Sequence, residues 1–187
     1  VTRIVAGTLG GRRIAAPAGG GTRPTSGRVR EALFSAVAAE VDLDGARFAD
    51  LYAGSGAVGL EALSRGAAHV LLVESDPRAA RVIRENVAAL RAAPAARLVT
   101  GRVAGVVAAG PGDAPYDVVF ADPPYAVPDD EITALLTGLV EHDWLAPDAL
   151  VVVERSTRSG PVGWVRGITA GRSRRYGETT LWYGRRS

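Results

Sequence analysis

Between residues 47 and 154, short apolar runs alternate with segments whose apolar residues recur at helical spacing, and this alternation restricts the fold more than any other feature of the chain. Residues 47–52, 69–74, 97–101, 116–121 and 150–154 read as strands, and 58–65, 77–90 and 131–141 as helices. Unbroken stretches such as Val70-Leu71-Leu72-Val73 and Val151-Val152-Val153 predict strands buried on both faces, as in a parallel sheet covered by helices. The expectation is a doubly wound α/β fold. Residues 172–176 and 179–183, around Gly177-Glu178, predict a closing antiparallel hairpin, which brings the mostly parallel sheet to seven strands. Upstream, Val29, Leu33, Val37 and Val41 place an amphipathic helix over 27–41. Residues 3–6 and 12–15 pair as a small hairpin across 8–11, and 19–22 read as loop. A length of 187 residues suits one domain with an appendage. The division expected is an Arg-rich extension over 1–26 and a main domain over 27–187.

Cys is absent and only two His are present, so neither a disulfide framework, a thiolate metal site nor a His-rich one is available; no metal is expected. No charged segment followed by an apolar one opens the chain, and no apolar stretch reaches the roughly 20 residues of a membrane span. A soluble, cytoplasmic, monomeric protein is expected. All 22 basic residues are Arg and Met is absent even at position 1, which suggests GC-rich bacterial coding with a Val-type start codon. The net charge of +2 conceals a segregation: residues 1–30 hold six Arg and no acid, 31–154 hold eight Arg against nineteen acids, and 155–187 hold eight Arg against Glu178 alone. An acidic body between two Arg-rich ends suits a polyanion, because guanidinium forks match phosphate oxygens and stay charged.

The run Asp50-Leu51-Tyr52-Ala53-Gly54-Ser55-Gly56-Ala57-Val58-Gly59 lies where the first long strand enters a helix, the usual ligand crevice of such sheets. Gly54, Gly56 and Gly59 satisfy G-x-G-x-x-G, so a dinucleotide is the first competitor for this loop. Asp50 discriminates: a carboxylate four residues before Gly54 repels a pyrophosphate but attracts an ammonium, such as that of S-adenosylmethionine. Tyr52, Gly54, Ser55 and Gly56 are the loop positions expected against this cofactor. Glu74 ends the second strand, 20 residues after Gly54, where a carboxylate accepts from both ribose hydroxyls. Arg102 and Val103, just past the third strand, are the expected adenine-edge positions.

Asp122-Pro123-Pro124-Tyr125 follows the apolar strand ending at Ala121 and falls in the same crevice. Together the two motifs resemble a Rossmann-like S-adenosylmethionine-dependent methyltransferase of the amino-group-methylating kind. Two prolines fix the backbone so that the Asp122 side chain and the Pro123 carbonyl converge on one spot. An exocyclic amine held there donates to both oxygens and can attack the sulfonium methyl in line, with Tyr125 stacked on the base. The segments Arg3-Ile4-Val5-Ala6-Gly7, Gly11-Arg12-Arg13-Ile14, Arg23-Pro24-Thr25, Arg28-Val29-Arg30-Glu31-Ala32-Leu33-Phe34 and Glu61-Ala62-Leu63-Ser64-Arg65-Gly66-Ala67 extend the resemblance nearly end to end. With them the chain closely resembles the bacterial 16S ribosomal RNA guanine-N2 methyltransferase family.

The resemblance implies N2-methylation of one guanine in 16S ribosomal RNA, with the small ribosomal subunit or its assembly intermediate as substrate. The target base is then turned out of its stack, since its amine is otherwise unreachable. Arg3, Arg12, Arg13, Arg23, Arg28 and Arg30 are the candidate RNA contacts, with Arg172, Arg174 and Arg175 a second set; Arg30, at a helix start, has a structural role as its alternative. Three rival functions were open. A protein glutamine-amide N-methyltransferase shares the Pro-Pro-Tyr platform but typically starts it with Asn. A dinucleotide oxidoreductase is disfavoured by Asp50 and leaves Asp122 to Tyr125 unexplained. An RNA-binding module with a decayed site is disfavoured by the intact platform.

Overall fold

The computed structural model describes residues 2–18 and 25–187; the loop read over 19–22 and the candidate Arg23 lie outside them. At the N-terminus β1 (Thr2–Arg3) and β2 (Arg13–Ile14) pair antiparallel, Thr2 opposite Ile14. The expected hairpin is present with shorter strands. Its turn is closed by Gly11 N–H donating to the Ile4 carbonyl at 2.8 Å and Ile4 N–H to the Arg12 carbonyl at 3.0 Å.

Helix α1 (Gly27–Glu40) begins at Ser26, whose hydroxyl accepts from Val29 N–H and satisfies one of the free donors of the first turn. Then follow β3 (Arg47–Leu51), α2 (Ala57–Ser64), β4 (His69–Glu74), α3 (Pro77–Ala89), β5 (Ala96–Thr100), α4 (Val103–Ala109), β6 (Tyr116–Ala121), α5 (Asp129–Glu141), β7 (Leu145–Ser156), β8 (Ile168–Tyr176) and β9 (Thr179–Arg186). A short 3-10 turn, Thr157–Ser159, separates β7 from β8. The seven long strands form one sheet in the order β5-β4-β3-β6-β7-β9-β8. The first five are parallel, and β9 and β8 add antiparallel at one edge.

Alternate side chains of the central strands enter two cores. Phe48, Val70, Leu72, Val118, Phe120 and Val152 face Leu33, Phe34 and Val37 of α1, Leu60 of α2 and Ile83 of α3. Ala49, Leu51, Leu71, Val73, Val119, Val151 and Val153 face Val103 and Val107 of α4 and Leu135, Leu136 and Leu139 of α5. Helices therefore cover both faces, as the uniformly apolar strands require.

Three elements differ most from the sequence expectation. Helix α4 has no counterpart in the sequence expectation, because its seven residues are few, three of them Val and one Gly, and Arg102 gives it no side-chain cap. Trp144, fully buried, holds the helix by donating its indole N–H to the Val107 carbonyl at 2.9 Å. Strand β7 starts five residues earlier than residue 150, where a register shift between Tyr116 and Val118 lets Leu145 pair with Tyr116. Strand β8 starts four residues before 172 and is almost wholly exposed, so no alternation marks its beginning. As an edge strand it carries Arg172, Arg174 and Arg175, charges that discourage edge-to-edge pairing.

Candidate active site

Strand order reverses between β3 and β6, since β4 and β5 lie to one side of β3 and β7 lies beyond β6. The carboxyl ends of two strands that diverge in this way leave a crevice. Leu51 and Ala121 are paired across it, and Asp122 N–H donates to the Leu51 carbonyl at 3.3 Å, so the glycine loop and the Asp-Pro-Pro-Tyr segment leave the sheet side by side.

The loop is held by its own backbone and by the side chains of Asp50, Ser55, Glu74 and Asn86. Tyr52 takes a positive φ of 64°, a conformation that costs a bulky residue energy and recurs at functional sites. Gly54 and Gly56 follow with φ of 61° and 84°, and Gly56 caps α2. Around Gly54 an added Cβ would meet nothing within 4 Å, so the loop faces open space there. The third glycine has another reason: a Cβ on Gly59 would lie 2.3 Å from the Leu72 side chain, so Gly59 lets α2 pack closely on β4. Asp50 is buried and accepts from Gly59 N–H at 2.9 Å, tying the strand end to the first turn of α2. Burial, and then the nearby charges of Glu74 and Glu154, hold its carboxyl well above the ordinary range despite that bond. The Ser55 hydroxyl accepts from Ala57 N–H at 3.3 Å, and the Ser55 carbonyl accepts from Asn86 of α3 at 2.9 Å.

Glu74 accepts from Gly54 N–H at 2.7 Å through one oxygen and from Asp76 N–H at 2.8 Å through the other. It thus shapes the loop while each oxygen keeps a lone pair for a ligand hydroxyl. Glu74 pairs with Thr100, after which exposed Arg102 and buried Val103 open α4. Tyr52 and Val103 border one groove of about 460 Å³ between α4 and α5, with Glu131 and Leu135 on its far wall.

In the second motif Pro123 is buried, Pro124 is exposed and Tyr125 is 65% exposed, an aromatic face open to solvent. Arg155 of β7 fixes the segment by donating to the Val127 carbonyl at 2.9 Å and to Asp129 at 3.2 Å. Asp122 has a neighbour absent from the sequence reading. The Thr25 hydroxyl lies 3.4 Å from Asp122 Oδ2 and 3.5 Å from Glu154 Oε2, which brings the two carboxyls together. Burial first, then the adjoining Glu154, holds the Asp122 carboxyl well above its usual range. Burial raises Glu154 as well. The signal for Glu154 was present: a charged residue ending a Val-rich parallel strand points into the crevice. Thr25 carried no comparable signal.

Among the arginines, Arg3, Arg12, Arg13 and Arg28 are exposed, as are Arg172, Arg174 and Arg175. Arg30 is a correction. It is 1% exposed, and its guanidinium bonds the Thr25 carbonyl, the Arg3 carbonyl and the Thr2 hydroxyl, with Glu61 3.7 Å away. Arg30 therefore pins the extension to α1 and cannot reach RNA.

Comparison with known proteins agrees with this geometry. A family model described as "Conserved hypothetical protein 95" matches residues 2–185. The chain is 40% identical over 166 residues to ribosomal RNA small subunit methyltransferase D of Escherichia coli, spanning 87% of this chain and 80% of that protein. It is 35% identical over 157 residues to the protein of that name from Haemophilus influenzae, spanning 81% and 77%. The solved structure of the Escherichia coli protein yhhF superposes with a TM-score of 0.85 at 34% identity, over 100% of this chain and 98% of that one. The family model and the relatives, in keeping with the crevice, the glycine loop and the Asp-Pro-Pro-Tyr segment, show that this chain belongs to the conserved hypothetical protein 95 family and is a methyltransferase.

Proposed function

We infer that this chain transfers the methyl group of S-adenosylmethionine to the exocyclic N2 amine of one guanine in 16S ribosomal RNA, acting in the cytoplasm as a monomer on the small ribosomal subunit or its assembly intermediate. The observation that carries the reading is the placement of Asp122, backed by Glu154, at the switch point beside the open turn at Gly54. That turn fits the cofactor: its glycines leave room for backbone approach, and the carboxylates of Asp50 and Glu74 match an ammonium and a pair of ribose hydroxyls. When bound, the cofactor supplies an electrophilic methyl group on a sulfonium centre.

The remaining work falls to the chain. Asp122 and the Pro123 carbonyl accept from the amine and orient its lone pair, so the rate gain comes from positioning. Tyr125, already exposed, offers a stacking surface for a base turned out of the RNA. The extension over 1–26 supplies the phosphate contacts, through Arg3, Arg12, Arg13 and Arg23, with Arg28 at the start of α1. Ribosomal RNA methyltransferases among the relatives support this reading over transfer to a protein glutamine amide.

The test incubates the protein and S-adenosylmethionine with small subunits from a strain lacking its gene, then quantifies N2-methylguanosine in digested RNA by mass spectrometry. One new mark per subunit is expected. No gain on subunits or on naked RNA, with cofactor binding intact, would overturn the substrate and make the glutamine amide the next one to assay.

A further inference from the structure

Glu154 is 9% exposed, lies beside Asp122 and has no part in holding the glycine loop. Its position follows from the sheet. Ala121 and Val153 are paired across β6 and β7, so the next residue of each strand, Asp122 and Glu154, turns to the same face at the same level. Thr25 reaches one oxygen of each carboxyl at 3.4 and 3.5 Å, but a hydroxyl has a single proton to give. Burial raises both carboxyls, and the adjoining Glu154 raises Asp122 further, as expected for buried acceptors short of donors.

The chemistry of the four RNA bases says what relieves that shortage. An exocyclic amine occurs on adenine, cytosine and guanine, but the adjacent ring nitrogen is an acceptor in adenine and cytosine. Guanine alone presents an amine, N2, next to a ring N–H, N1. Two acceptor carboxyls side by side therefore match the guanine edge and meet the lone pair of the others with repulsion. We propose that Glu154 accepts the N1–H of the target base while Asp122 accepts from N2, so that Glu154 is the residue that selects guanine. This deepens the proposed function and rests on it.

The test uses small subunits reconstituted with 16S RNA carrying, at the methylated position, either guanosine or 2,6-diaminopurine riboside. The analogue keeps the 2-amine but has an acceptor at N1. Wild-type protein at pH 8 should disfavour the analogue by at least about 100-fold in kcat/KM, since a site built around a hydrogen bond rejects a ligand that lacks it. Glu154→Gln has the same shape and offers either an acceptor or a donor to N1. It should lose about tenfold or more on guanosine and bring the two substrates within about tenfold of each other. Cofactor affinity, measured by calorimetry, should stay within a few-fold and report that the variant is folded. A wild-type enzyme that treats both substrates alike would overturn the proposal whatever the variant does, and so would a Glu154→Gln enzyme with undiminished discrimination. If wild type methylates N2 of neither, the proposed function itself falls and this assignment with it.

Discussion

Asp122 is placed where function and stability oppose each other. Burial, Glu154 and Asp50 all raise its pKa, so the folded state binds a proton more tightly than the unfolded chain. The stability this contributes is present at acid pH and is lost as pH rises through the raised value, leaving ionised carboxyls repelling one another. Asp122→Asn should therefore melt higher than wild type at pH 8, by about 2–4 °C for each kcal/mol of repulsion relieved, with the gap closing toward pH 5 in scanning calorimetry. Asp122→Ala should lower kcat by at least about 10²-fold while leaving cofactor affinity within a few-fold, and a normal rate would remove Asp122 from the mechanism. Glu74→Ala acts on the other ligand. It frees the Gly54 and Asp76 N–H groups and deletes the proposed ribose acceptor, so the cofactor Kd should rise about 10–100-fold by calorimetry, equivalent to about 1.4–2.8 kcal/mol.

At the scale of elements, helix α2 connects the catalytic sheet to the N-terminal hairpin. Its Glu61, fully buried, accepts from Val5 N–H at 2.8 Å, Ala6 N–H at 3.1 Å and Arg65 at 2.9 Å, and faces Arg30. One turn on, the Ser64 hydroxyl bonds Leu9 N–H and the Ala6 carbonyl. Removing one partner of a buried ion pair leaves the other charged and alone, at a cost of about 3–5 kcal/mol. Glu61→Ala should lower the melting temperature by about 6 °C or more. None of this was legible in the sequence, where Glu61 reads as an ordinary helix-surface charge. Strands bounded by turn residues were legible to the residue: β4 and β6 fall where their apolar runs place them. The glycine loop and the Asp-Pro-Pro-Tyr segment were legible because local backbone demands, a tight turn and a rigid exit, write themselves as Gly and Pro. Thr25 was not, because only the docking of the extension brings it to Asp122, and Glu154, visible as a charge ending a Val-rich strand, is tied to Asp122 only by the register of β6 against β7. Arg30 was misplaced for the same reason: its charge is visible in the sequence, whereas its burial is a tertiary fact.

For the whole molecule, the charge segregation becomes a distribution in space. The hairpin bearing Arg3, Arg12 and Arg13 docks on α2 and α3, and β8, bearing Arg172, Arg174 and Arg175, forms the sheet edge opposite β5. The acids at the carboxyl ends of β3, β4 and β7, with Asp122 just past β6, converge near the crevice between them. Such an arrangement suits the proposed polyanion, with phosphates met at the periphery and the central site kept for donors. Changing Arg12 and Arg13 together to Glu should weaken RNA binding and flatten the dependence of log affinity on log salt by about 2 in a filter-binding titration. An unchanged slope would move the RNA surface elsewhere on the molecule.

Asn86 has a consequence for how such a protein can be dissected. Its side chain accepts from Ala15 N–H at 2.8 Å and donates at 2.9 Å to both the Ala15 carbonyl and the Ser55 carbonyl. One amide thus rivets the base of the hairpin to the turn that precedes α2. A deletion meant to remove only the Arg-rich hairpin would take Ile4 and Ile14 out of the core, strip Asn86 of two of its three hydrogen bonds and loosen the glycine turn at the same stroke. Lost activity in a truncated chain would then report two defects at once, and point substitutions of exposed arginines are the cleaner instrument for telling grip from chemistry.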